Sequence, residues 1–280
     1  MGKFDHILII TDLDFTFLGE GGTLVERNLE AVRRFRAEGG KFTIATGRRL
    51  YDARRAIPEL DRIVNAPAIL ANGTILHDVV RGVEVESAVM DYERAFEVVR
   101  YMRTALPHIG IRVTTDTTVL TDCITPMLTK DCPLDQPWRY RVLPLNEWKP
   151  EKWYKVVCRA EAEETMEFKK LFLEKFGDEY NWCHSEKTIF ECQKKGCNKG
   201  VYVNRLRQYY REQGLEMKVY VCGDYENDLE MLREADVAVC PENAIDTVKE
   251  ICQLCLCDHK QGTIADLIEL LERQAAEGKE

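Results

Sequence analysis

The stretch that decides the fold is FDHILIITDLDFT, residues 4–16. Ile7 to Ile10 form an apolar run of the kind that becomes a buried strand, and the run stops abruptly at two aspartates, Asp12 and Asp14. Charges at the end of a buried strand are costly unless something compensates them. Side chains two apart on an extended chain point the same way. Where the chain is still extended, the two carboxylates project together, and one pKa must rise unless a cation sits between them.

Outward from this strand, short apolar runs alternate with amphipathic segments. Residues 26–40 carry Leu29, Val32 and Phe35 at helical spacing and end at Gly39 and Gly40. A strand over 41–46 and a helix over 48–57, stopped by Pro58, come next, then a strand over 66–70 and the turn signal Asn72-Gly73. The rhythm returns late in the chain. Helices are predicted over 198–214, 227–235, 244–252 and 263–278, with strands over 218–223, 236–240 and 254–257. Such alternation implies an α/β fold, a Rossmann-like parallel sheet with helices on both faces.

The texture changes between about 82 and 190. Runs such as GVEVESAV, GIRVTTDTTVLTD and KWYKVVCRA read as neighbouring antiparallel strands, with helices near 91–106 and 161–177. The four prolines of residues 129–150 predict a surface loop. The expected organisation is a core domain from 1–84 and 191–280 and an inserted α+β cap over 85–190.

Composition narrows the function. The chain has 280 residues, 45% hydrophobic and 31% charged, as in ordinary globular proteins. Its net charge of −9 argues against nucleic-acid binding but allows a small phosphate ester held by a few local cations. No apolar stretch approaches the roughly 20 residues of a membrane span, so no membrane partner is expected. The 11 cysteines lie scattered in apolar segments, which reads as reduced thiols in a cytoplasmic protein.

In open parallel sheets, ligands bind beyond the carboxyl ends of the strands. Asp12, Asp14 and Thr16 follow the first strand; Thr46, Gly47 and Arg48 follow the second; Asp224, Asn227 and Asp228 follow the strand at 218–223. Asp12, Asp14 and Asp224 would make a hard-oxygen cluster suited to Mg²⁺. Any one of these residues is also a good helix cap, but capping does not require several acidic strand ends together.

The order DLDFT, FTIATGR, CNKGVYVNRL and VCGDYENDLEML resembles the haloacid dehalogenase (HAD) superfamily, and within it the Cof-type phosphatases with a large α/β cap. The resemblance implies a Mg²⁺-dependent phosphatase acting on a small phosphorylated metabolite such as a sugar phosphate, pyridoxal phosphate or a nucleotide. It implies Asp12 as nucleophile forming an aspartyl-phosphate, and Asp14 as general acid and then base. Thr46 and the Gly47 backbone would hold the phosphoryl oxygens, and Lys199 would neutralise charge. Asp224 would bind the metal with the Asp12 carboxylate and the Asp14 carbonyl. Asp228 is implied as a metal ligand or an orienting group, and Asn227 as a phosphate or metal-water contact. Arg48 would reach substrate or cap, or pair with surface acids. A sugar phosphomutase shares the same motifs, and a non-catalytic phospho-acceptor is the remaining alternative.

Lesser signals have plainer readings. Cys252, Cys255 and Cys257 beside His259 fit a short buried strand better than a zinc site. The aromatics Trp138, Tyr140, Trp148, Trp153, Tyr154 and Trp182 suit either a cap core or a leaving-group contact. Phe15 stands where the family usually has glycine, which predicts a turn with negative φ there and a ring packed against the core or the cap hinge.

Overall fold

The computed structural model describes residues 2–129 and 140–278. The loop expected over 129–150 and the aromatic Trp138 therefore lie partly or wholly outside the described residues. The chain divides into two compact units, one of Met1–Ser87 with Asn198–Glu280 and one of Ala88–Cys197.

In chain order the first unit opens with β1 (Ile7–Thr11), α1 (Glu26–Ala37), β2 (Lys41–Ile44), α2 (Leu50–Ala56), α3 (Leu60–Ile63), β3 (Ala68–Leu70), β4 (Ile75–Asp78) and β5 (Val83–Ser87). The second unit contributes α4 (Tyr92–Ala105), β6 (Gly110–Thr115), β7 (Val119–Thr121), α5 (Pro126–Thr129), β8 (Tyr140–Val142), β9 (Trp153–Arg159), α6 (Ala162–Phe176), β10 (Tyr180–Glu186) and β11 (Ile189–Lys194). The first unit then resumes with α7 (Lys199–Arg211), β12 (Lys218–Cys222), α8 (Leu229–Arg233), β13 (Val237–Pro241), α9 (Asp246–Lys249), β14 (Leu254–Leu256) and α10 (Thr263–Ala276).

The central sheet of the first unit is parallel, in the order β14-β13-β12-β1-β2. Leu8, Ile10, Val219 and Val221 pack with Tyr202, Val203 and Leu206 of α7 and Met231 of α8. Ile9 points to the opposite face, where Arg27 of α1 bonds Asp266 and Glu269 of α10. Because β1 lies between β12 and β2, its carboxyl end opens between theirs. The α/β reading holds: helices cover both faces and the inner strands are buried, but the buried strand expected at Cys255 and Cys257 is the edge strand β14, half-buried at Leu254 and Leu256 and exposed at Cys255.

Two local expectations change. The strand in GVEVESAV is β5, which pairs antiparallel with β4 in a small sheet of the first unit, so the insert does not begin there. The helix expected over 244–252 is only the four residues of α9.

The second unit is α+β. Its six-stranded sheet runs β10-β11-β9-β6-β7-β8 and is antiparallel except for the β7–β8 pair. Val98 and Val99 of α4 and Phe168 and Phe172 of α6 share a core with Val113, Val156 and Phe190. Trp148 and Trp153 are buried in that core, Trp182 packs against it, and Tyr154 is also buried.

Candidate active site

The strand β1 ends at Thr11, and the next residues form one wide turn, closed by the Leu18 N–H donating to the Leu13 carbonyl at 2.8 Å. This turn separates the two aspartates. Asp12 is buried, and its Oδ1 accepts a hydrogen bond from Lys199 Nζ at 2.7 Å. The Asp14 carboxylate, a third exposed, instead takes a two-pronged bond from Arg48, at 2.8 Å from Nε and 2.6 Å from Nη2. The strand has ended before Asp14, so the two carboxylates take separate partners, and Arg48 supplies a planar one for Asp14; the acidic cluster expected of Asp12, Asp14 and Asp224 is instead made by Asp12, Asp224 and Asp228.

Phe15 is the second correction. Its φ is 58° and its ψ 12°, the left-handed region, not the negative φ expected from a bulky side chain. A non-glycine residue there costs roughly 1–2 kcal/mol, so surrounding contacts must hold it. Nor is the ring packed into a core as expected: Phe15 is 45% exposed, and its ring meets His259 edge-on with 5.6 Å between centroids.

Lys199 is the first residue of α7, behind the N-cap Asn198, and it is fully buried. A helix N-terminus repels an ammonium, so two carboxylates hold it: Asp12 and, at 2.6 Å, Asp228 Oδ1. Lys194 and Lys195, the neighbours from which sequence alone did not separate it, are exposed. Burial works against its charged form, yet Asp12 and Asp228 outweigh that and hold the ammonium above its ordinary range. Gly200 follows because a Cβ there would come within 2.7 Å of the Glu230 carbonyl of α8.

Asp228 uses its other oxygen, Oδ2, to accept the amides of Asp224 and Tyr225 at 2.9 and 3.2 Å. Gly223 permits this, since a Cβ there would meet Asp228 at 2.6 Å. Asp224 in turn accepts the Thr16 hydroxyl at 2.7 Å. Ligand oxygens of Asp12, Asp224 and Asp228 gather within 4.8 Å of one another, the one such acidic, histidine or cysteine group among the described residues. Burial pushes the Asp12 carboxyl up to about 7 against the pull of Lys199, with Asp228 and Asp14 adding to the rise. Burial raises Asp224 too, reinforced by Asp228 and Asp12. Three carboxylates facing one ammonium are under-neutralised, and hard oxygen donors with surplus negative charge suit a small divalent cation.

Thr46 follows β2, next to β1, and its hydroxyl accepts the Arg48 amide at 3.2 Å. Thr46 is buried and Gly47 half-buried. Asn227 donates to Asn72 Oδ1 at 3.1 Å. Asn72 belongs to a run of three left-handed residues, Ala71, Asn72 and Gly73, and a Cβ on Gly73 would lie 2.1 Å from the Asn198 carbonyl. The sequence marked Asn72 only as a turn. Its place beside Asn227, and the Thr16 bond to Asp224, depend on contacts across 155 and 208 residues that no local pattern carries.

Comparisons with known proteins identify the family and the fold. A family model described as haloacid dehalogenase-like hydrolase matches residues 9–268. The chain is 27% identical to a Bacillus subtilis 5-amino-6-(5-phospho-D-ribitylamino)uracil phosphatase, over 86% of this chain and 90% of the relative. It is also 27% identical to an Escherichia coli pyridoxal phosphate phosphatase, over 93% and 97%. A haloacid dehalogenase-like hydrolase structure from B. subtilis superposes with a TM-score of 0.80 at 20% identity, covering 94% of this chain and 98% of that one. Among the described residues no helix is long and apolar enough to cross a membrane.

Proposed function

Because the chain belongs to the haloacid dehalogenase-like hydrolases, we propose that it is a Mg²⁺-dependent phosphatase of a small phosphate ester that works through an aspartyl-phosphate on Asp12. The observation that carries this reading is the buried trio of Asp12, Asp224 and Asp228, of which Asp12 and Asp228 bind Lys199. A carboxylate attacks a phosphate dianion only when their mutual repulsion is screened.

Asp12 and Asp224, with the Asp14 backbone carbonyl, would hold the metal. Bound there, the cation supplies charge neutralisation for the phosphoryl oxygens. Asp12 attacks phosphorus, the bond to the ester oxygen breaks, and a proton from Asp14 goes to the departing alkoxide. Asp14 then takes a proton from the water that hydrolyses the acyl phosphate. Arg48, gripping Asp14 through two bonds, fixes where that carboxyl group points for both proton transfers. Lys199 keeps Asp12 oriented and adds positive charge beside the phosphoryl group. Asp228 fills both of its oxygens with Lys199 and backbone amides, which supports an orienting role over direct ligation. Thr46 and the backbone at Gly47 would hold phosphoryl oxygens, with Asn227 as a further phosphate or metal-water contact. The second unit would act as the cap that selects the leaving group.

The substrate class follows the relatives: small phosphorylated metabolites, with pyridoxal phosphate and 5-amino-6-(5-phospho-D-ribitylamino)uracil as first candidates. The test is a panel of these esters, a hexose phosphate and a nucleoside monophosphate, with Mg²⁺ and with a chelator. Phosphate release from a panel member, abolished by the chelator, is expected. An Asp12→Asn variant that turns over at the wild-type rate would contradict the mechanism.

A further inference from the structure

The turn that carries Asp14 is tied down by side chains outside the carboxylate cluster. Its carbonyls take three such donors: Phe15 O from Asn243 Nδ2 at 2.9 Å, Phe17 O from Asn28 Nδ2 at 2.7 Å, and Leu18 O from His259 Nδ1 at 2.7 Å. The donors are themselves anchored. Asn243 Oδ1 accepts the His259 amide at 3.0 Å, and Asn28 Oδ1 accepts the Ala265 amide at 2.9 Å. Facing a carbonyl, His259 Nδ1 must carry its hydrogen. The imidazole is 3% exposed and presents its ring to Phe15.

Loops commonly satisfy their carbonyls with backbone or water. Here three carbonyls within four residues are satisfied by side chains from three separate places: α1, the segment after β13, and the segment before α10. Between them Phe15 sits in a backbone region that its side chain disfavours. Such a conformation persists only where the surroundings over-determine it. The same turn sends Asp14 to Arg48 and Thr16 to Asp224, so its shape sets two of the contacts that build the site.

We propose that Asn28, Asn243 and His259 are positioning residues: they hold the Leu13–Leu18 turn in the strained form that places the Asp14 carboxylate and the Thr16 hydroxyl. The catalytic consequence rests on the phosphatase reading above; the structural consequence does not. The half-exposed Phe15 ring meets the His259 imidazole edge-on, so the residue that holds the turn also touches its strained side chain; a glycine at position 15 would adopt φ 58° unaided.

The test uses the full chain carrying Asn243→Ala, His259→Ala, His259→Asn, and His259→Ala combined with Phe15→Gly. Asn243 is exposed, so its truncation tests the clamp even if a change at buried His259 prevents folding. Asn243→Ala and His259→Ala are expected to lower kcat about 10-fold, within the range misplacement of a catalytic group produces, with KM within about twofold of wild type. His259→Asn, which keeps an amide donor near the Nδ1 position, should retain more kcat than His259→Ala, and adding Phe15→Gly to His259→Ala should restore part of the loss. Hydrogen exchange across residues 13–18 should speed up in both alanine variants. Unchanged exchange in a folded Asn243→Ala protein overturns the clamp whether or not any ester is hydrolysed. Faster exchange with unchanged kcat overturns the positioning role alone. Failure of the wild type to hydrolyse any ester would count against the phosphatase reading and leave the exchange result to decide the clamp.

Discussion

Each unit buries a lysine against carboxylates, and the two clusters differ in one respect. In the second unit Lys155 of β9 meets Glu191 of β11 at 2.6 Å, and the Ser185 hydroxyl donates to the other Glu191 oxygen. Burial alone would raise Glu191; Lys155, Ser185 and Arg112 outweigh it and hold the carboxyl below its usual range. In the first unit Lys199 faces three carboxylates, and Asp12 and Asp224 are pushed up. One cluster is balanced by its own residues. The other has a negative surplus, and a folded protein tolerates that only where something external completes the site.

The largest effect expected from this contrast is on activity. Lys199→Met should lower kcat on the preferred ester by about 10²–10³-fold, the size of losing one preorganised electrostatic donor, and extra Mg²⁺ should not restore it. A near-normal rate in a steady-state phosphate assay would break the assignment of Lys199. Next is stability in the second unit. Lys155→Met strands a buried carboxylate and should cost about 3–5 kcal/mol in urea unfolding, whereas Lys155→Met with Glu191→Leu should recover most of that. If the double variant is no better than the single, the pair is not the closed structural device described.

The smallest effect is a difference in pH response. Asp12 has a folded pKa above its unfolded one, so its contribution to stability is present at low pH and lost as pH rises from about 4 toward 7. Asp12→Asn should therefore raise the melting temperature of metal-free protein increasingly over that interval. Glu191 has the opposite sign: its contribution is present above the ordinary carboxylate range and lost as pH falls through its lowered pKa. The cost of Glu191→Gln should accordingly fade in acid. Melting curves from pH 2 to 8 check both, and parallel pH trends in the two variants would sink the comparison.

Much of the first unit was legible because buried parallel strands and amphipathic helices alternate plainly in sequence. Asp12, Asp224 and Asp228 were legible because each closely follows such a strand. Lys199 was marked only by the family's motif register, since a basic run at a helix start looks the same whether buried or solvated. Arg48 was legible as a position but not as the partner of Asp14. The conformation of Phe15 was misread because its determinants, Asn243 and His259, lie 228 and 244 residues further along. β5 was misassigned to the insert because the antiparallel texture of a hairpin does not say which unit it pairs with.

Calorimetric titration of Mg²⁺ into metal-free protein at pH 7.5 tests the central claim most directly. The account predicts binding by the wild type, its loss in Asp224→Asn, and its retention in the Lys155→Met, Glu191→Leu double variant, which leaves the first-unit carboxylates untouched. No binding by the wild type, or equal binding by Asp224→Asn, would contradict it.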